Sequence, residues 1–480
     1  MNSRPLNAAL FALLGLALAL LMRRPRRQLW LCGFILPLYF PGMELGVSLR
    51  WYLILGPYIL ALAFLMGERP KSFSVLRGFW PLLVWATAVT LVWSMAEYGV
   101  LQRYRLAQML GLGNGQTIYK MPVQYLSFVL PALAATIVPL RAKTPSQAWA
   151  IVNGFLAGCA TSVLGGALMY ITTGKAWNGE SEIALGEGVS VSRLGGLSGE
   201  PKMLGAWLVV ALLLTNLRFA GARTVAQQQF WFLTFLFFGG ALFLTFSTSS
   251  YLALAAAMAF LGIAALARGL RSGRVLLLPG LVVLAGLVGM GSTDVGRGIF
   301  QSRIAERLWD RPTYLVARKE DFTRLIMQEK PWFAATGYGL GGADLEATWQ
   351  MSYNTMFSKQ LRIVKTPTPM QSGLRLFGDL GLIGLGLWAF AILDWYRTIR
   401  RDRALGFVAD TLLAIFAATL LLSYSTMAAS WAICAGLATY AHIRQAGRTA
   451  AKTRETRPAL GPSDTSPGPP AIPARGSPSH

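Results

Sequence analysis

The sequence predicts an all-α, polytopic membrane protein, on three observations. Its apolar residues come in blocks about one bilayer thick. Arginine-rich breaks separate those blocks. The 480 residues are 54% hydrophobic and only 14% charged. A bilayer core of about 30 Å takes about 20 helical residues to cross. Backbone groups in lipid find no water, so a spanning segment must be a helix or part of a closed barrel. The blocks are too long and too evenly apolar for barrel strands.

Leu6–Met22 is the first block. It lacks a basic start and a small-residue cleavage site, so it reads as a span and not as a leader. Leu29–Phe40 is short and carries Pro37, which leaves open a crossing or a re-entrant turn. Trp51–Gly67, Pro122–Leu140, Gln147–Ile171 and Leu374–Leu393 follow. Phe230–Ala267 is long enough for two helices, with Ser247–Ser250 as the turn. About 12–14 spans result, and with about 13 the basic breaks fall on one side. These are Arg23–Arg27, Arg69/Lys71/Arg77, Arg141/Lys143, Arg218/Arg223, Arg268/Arg271/Arg274 and Arg397–Arg403. That side is cytoplasmic by the positive-inside rule, which puts the N-terminus outside.

The organisation predicted is spans with short loops over 1–290, one large outer loop over 291–373, further spans over 374–444, and a disordered cytoplasmic tail over 445–480. The tail is rich in Pro, Ser, Gly and Ala. The net charge of +23 finds its use in topology, so nucleic acid is not a partner. Cys32, Cys159 and Cys434 all lie in apolar blocks and read as small buried side chains. No metal-ligand spacing occurs, and the histidines His442 and His480 lie on the wrong side for outer-face chemistry. No cofactor or metal is expected.

The large loop breaks the charge rule. It carries Arg303, Arg311, Arg318 and other cations where the default is few. An anionic ligand explains this; so does the indifference of long loops to charge. Before it, Arg193-Leu-Gly-Gly-Leu-Ser-Gly-Glu200-Pro201 leads into a span. Pro201 suits the first position of a helix, and Glu200 suits its positive end. That account leaves Arg193 unused, and an arginine beside a glutamate can bind a phosphate and activate a hydroxyl. Further on, Arg318–Lys330 has the pattern of an amphipathic helix ended by Pro331. Gly337-Tyr-Gly-Leu-Gly-Gly342 then lacks the lysine of a phosphate loop and reads as a tight turn. Aromatics of the loop, among them Trp332, Phe333 and Tyr338, suit either sugar stacking or loop packing.

These segments, in this order, resemble the O-antigen polymerase and ligase superfamily. Arg193–Gly205 resembles the family's Arg-x-x-Gly…Pro segment. Ala241–Leu254 resembles its following helix pair, with Thr248 where arginine is usual. Arg318…Pro331…Gly337-Tyr-Gly339 resembles the Arg…Pro…Gly-x-Gly of its large loop. Gly373–Leu385 resembles its acidic entry to the next span, with Asp379 for Glu. The ligases' His-Asn pair is replaced by Met370-Gln371, which points to the polymerase branch. The resemblance implies a metal-independent glycosyltransferase at the periplasmic face of a bacterial inner membrane. Its substrate would be an undecaprenyl-diphosphate-linked oligosaccharide, with membrane lipid and a chain-length regulator (a polysaccharide co-polymerase) as further partners. With it, catalysis is expected of Arg193, Glu200 and Arg318 and substrate binding of Asp379, and the loop's Arg303, Arg311 and Tyr338 are further candidates for binding diphosphate or glycan. A ligase-type transferase and a lipid-oligosaccharide flippase are the alternatives; a flippase calls for charges at mid-membrane, where these spans have few.

Overall fold

The computed structural model describes residues 24–38, 77–96, 120–174, 182–184, 190–267, 331–342, 372–422 and 424–456, and positions 58, 59, 61, 65 and 280. It is built almost entirely of helices. In chain order they are α1 (Pro25–Ile35), α2 (Phe79–Ala96), α3 (Lys120–Arg141), α4 (Pro145–Thr173), α5 (Pro201–Ala220), α6 (Val225–Leu244) and α7 (Thr248–Ala267). A one-turn α8 (Phe333–Thr336), then α9 (Ser372–Arg400), α10 (Gly406–Leu421) and α11 (Tyr424–Thr456) complete the set. Between α4 and α5 a small hairpin pairs Glu182–Ala184 with Ser190–Ser192.

Six of the described helices are long and apolar enough to cross a membrane. The chain is a multi-pass membrane protein. Leu6–Met22 and most of Trp51–Gly67 lie outside the described residues, as does the side on which the N-terminus sits. The block Phe230–Ala267 divides into two helices as the sequence predicts, but the turn falls at Thr245–Ser247, and Thr248–Ser250, predicted as part of the turn, begin α7. Of the Leu29–Phe40 block, the residues up to Ile35 belong to α1, whose eleven residues rise only about 16 Å and fall short of a crossing.

Glycine sets the closest packing. α1 runs alongside α4 in the same direction. A methyl group on Gly33 would strike the carbonyl oxygen of Ile151; one on Gly154 would strike that of Trp30; one on Gly158, that of Phe34. Gly154 and Gly158 stand four apart on one helix face, the small-xxx-small spacing that lets backbones approach in lipid. At the centre of the bundle Phe79 of α2 lies between two buried tryptophans, 4.6 Å from Trp395 and 5.1 Å from Trp431.

Basic residues gather at one end. Arg141 at the end of α3 donates to Gln28 of α1 at 2.9 Å. Arg218 at the end of α5 donates to Asn153 of α4. Trp149 of α4 meets Tyr440 of α11 edge-on at 5.1 Å. Gln445 of α11 donates to the carbonyls of Thr398 and Ile399 at the end of α9. The phasing of basic breaks read from the sequence is therefore realised in space for these elements.

The predicted start of the tail is corrected. Helix α11 runs through Gln445 to Thr456. Gln445 is tied to α9, and Arg448 is paired with Asp402. The segment's Ala, Arg, Gln and Lys are also strong helix formers. The rest of the tail, from residue 457, lies outside the described residues.

The entry to α4 is a capping box: Gln147 N donates to Thr144 Oγ1 at 3.3 Å, and Thr144 N donates to Gln147 Oε1 at 3.1 Å. Thr144→Ala is expected to cost about 1 kcal/mol, read as a lower unfolding midpoint in detergent, with Thr144→Ser close to wild type.

Candidate functional site

The end of the bundle opposite the arginines holds the residues singled out above. Two side-chain sets occur there, built on different helices.

The first surrounds the segment 193–200. Leu194 N donates to Leu244 O at 2.9 Å, which ties the segment to the last turn of α6. Arg193 caps that helix: its Nε donates to Thr245 O at 2.9 Å and an Nη to Phe246 O at 3.4 Å. A cation at a helix C-terminus is favoured by the dipole and by the orphan carbonyls there. Phe246 carries φ of 47°, a strained value for a side chain of its size. Arg193 holds the carbonyl that this bend exposes. Next, Gly196 (φ 56°) lies against Ser162 and Gly166 of α4. Ser198 is buried, hydrogen-bonded to Ser162 at 2.9 Å and donating to Pro37 O at 2.6 Å. Glu200 is the N-cap of α5, with Pro201 after it as the sequence predicts; its exposed side chain makes no capping bond.

The second set is built by a break in α9. Gly381 has φ 66° and ψ −171°, so the helical ladder is interrupted there. Two carbonyls before the break find donors elsewhere: Tyr338 N binds Gly378 O at 3.0 Å, and Trp85 Nε1 of α2 binds Leu380 O at 3.0 Å. The glycine turn 337–342 sits in the notch between α2 and α9. Gly337, Gly339 and Gly341 all have positive φ, from 75° to 83°, which a residue with a side chain adopts only under strain. Leu340 N donates to Thr90 Oγ1 at 3.0 Å. Asp379 Oδ1 accepts from Gly341 N at 3.2 Å, and Arg375 Nε lies 3.7 Å from its other oxygen.

These contacts place two of the residues singled out from the sequence. Tyr338 is 1% exposed and stacked at 3.8 Å on Phe333, itself 4.5 Å from Trp93. Its ring is packed within an aromatic cluster. Asp379, also 1% exposed, fastens the glycine turn to α9. The turn is buried to a depth that nothing in Gly337–Gly342 announces. Arg303, Arg311 and Arg318 lie outside the described residues.

The protein matches no known family model, and no curated protein matches it either.

Sequence reasoning missed Thr90, Trp85, Trp93 and the Ser162–Ser198 pair. Thr90 also bonds its own helix at Ala86 O (2.6 Å), so its sequence context is that of any threonine in an apolar helix. Arg375 was legible: it stands one helical turn before Asp379, the spacing of an i, i+4 pair. Among the described residues no cluster of His, Cys, Asp or Glu can hold a metal ion.

Proposed function

We propose that the protein is a glycosyltransferase that polymerises undecaprenyl-diphosphate-linked oligosaccharide units at the periplasmic face of a bacterial inner membrane. One observation carries the reading most: an anchored guanidinium and an open carboxylate share one short loop, at the end of the bundle away from the topogenic arginines. Arg193 is fixed by two carbonyls, so its charge needs no reorganisation as a reaction proceeds, the condition for strong electrostatic stabilisation. Glu200 stands at the positive end of α5 with its carboxylate exposed.

In the reaction the bond from the anomeric carbon to the diphosphate oxygen breaks. A bond from that carbon to the acceptor's hydroxyl oxygen forms. The hydroxyl proton passes to Glu200 as general base. Undecaprenyl diphosphate leaves with its new charge facing arginine, whose forked donors can grip two phosphate oxygens at once as the ammonium of lysine cannot. Arg318, which the family resemblance singles out, completes that charge, with the loop's Arg303 and Arg311 as further cations.

The test is glycan length in cells that make the protein. Arg193→Ala and Glu200→Gln, at normal protein levels, are expected to collapse the polymer ladder to single repeat units, with a loss of about 100-fold or more in chain extension. Full ladders from both would overturn the assignment. A Glu200→Asp variant that regains short ladders separates a base from a structural cap.

A further inference from the structure

We infer that a cleft at the basic end of the bundle binds an anionic phospholipid, headgroup among arginines and acyl chain against α4 and α6. The cleft has a volume of about 1630 Å³ and is walled by α4, α5, α6, α10 and α11. Pockets for drug-sized ligands span about 300–1,000 Å³, so this one has room for a longer molecule.

Its charge is one-sided. Arg218, Arg223 and Arg444 line it, and no acidic residue does among the described residues. Arg218 is the central one. Its guanidinium lies 3.9 Å above the ring of Trp149 and 5.5 Å from that of Trp231. One Nη reaches the Asn153 carbonyl oxygen. Its Nε is buried and has no hydrogen-bond partner among the described residues. A cation placed inside a membrane bundle is costly without a counter-charge. Ring faces and a neutral amide supply part of that compensation, and a phosphodiester supplies the rest.

The lining changes character with depth. From Arg223 at the mouth the wall runs inward along α6 to Phe237 and Phe238, about 20 Å at 1.5 Å per residue. Ala157 and Ala160 of α4 face the same space, small residues that leave it open. Phe230 and Leu233 are exposed on the outer surface of the bundle, where lipid would enter sideways. A cationic mouth above an apolar wall fits a charged headgroup with its chain attached, as basic pockets between membrane helices do at the cytoplasmic side. An inorganic anion would satisfy only the mouth.

The site is independent of the glycosyl-transfer reading and lies at the other end of the molecule. The test is native mass spectrometry of the full-length protein in detergent, titrated with phosphatidylglycerol or phosphatidylcholine of the same chain length. Phosphatidylglycerol is expected to be retained at least about tenfold more strongly. Arg218→Gln and Arg444→Gln are each expected to cut that preference about fivefold. Ala160→Trp, which leaves all charges in place, is expected to reduce retention of both lipids by filling the chain's path. Inorganic phosphate is expected neither to bind nor to displace the lipid. Equal retention of the two lipids by wild type would overturn the inference, as would displacement by phosphate. If Arg218→Gln fails to fold, an unchanged preference in Arg444→Gln together with unchanged retention in Ala160→Trp is equally decisive against it.

Discussion

Gly337→Ala is expected to dislodge the glycine turn and to lower the yield of folded protein several-fold. Two costs add. The backbone at 337 has φ of 75°, where a side chain is strained by about 1–3 kcal/mol. The added methyl would also strike the backbone of Asp379 and Leu380, and overpacking costs about 1–3 kcal/mol more. Backbone cannot yield as a flexible side chain does. Gly381 faces the same junction from the other side, against Ala335 O and Gly337 N, so movement of one strand presses on the other. Gly386 of the same helix is the control: nothing lies within 4 Å of its would-be Cβ. Gly386→Ala is expected to be neutral or to gain about 0.5–1 kcal/mol through helix propensity. Unfolding of the detergent-solubilised protein by SDS measures both. Equal midpoints for Gly337→Ala and wild type would mean that the turn is not seated as described.

Gly154→Leu is expected to separate α1 from α4, at a cost of 3 kcal/mol or more on the order of the largest single-site effects. The Trp30 carbonyl already occupies the place of a methyl at 154, and leucine adds three carbons to that. The consequence reaches beyond the seam. Pro37 accepts the Ser198 hydroxyl, so displacing α1 removes a support of the 193–200 loop. Under the proposed function, the variant is therefore expected to lose glycan extension in step with stability, and Glu200→Gln to lose it at wild-type stability. Gly240→Ala on α6, where a Cβ meets nothing within 4 Å, is the matched control. A Gly154→Leu protein with a normal SDS midpoint would rule out the tight seam.

The parts of this structure that were legible in the sequence are those set by composition. Apolar length marks spans, and arginine placement orders their ends. Pro201 after Glu200 marks the start of α5 for a local reason, the missing N–H and fixed φ of proline. The turn between α6 and α7 is likewise local. What could not be read is tertiary. Asp379 and Arg375 advertise charge near a membrane, and the natural inference is a ligand. The structure gives Asp379 the N–H of Gly341 instead. Arg193 looks idle in the sequence because its acceptors, the carbonyls of Thr245 and Phe246, lie some fifty positions away, and carbonyls leave no trace in a residue code. The same holds for Gln445: nothing in its residue type names the carbonyls of Thr398 and Ile399 as its partners.

The interruption at Gly381 also divides α9 into two unequal parts. From Gly381 to Arg400, α9 rises about 30 Å, one bilayer core. Asp379 and Arg375 precede that length, and their charges face each other and the glycine turn. The part before the break serves as the platform to which the glycine turn is fastened, and the part after it is by itself as long as a bilayer core is thick.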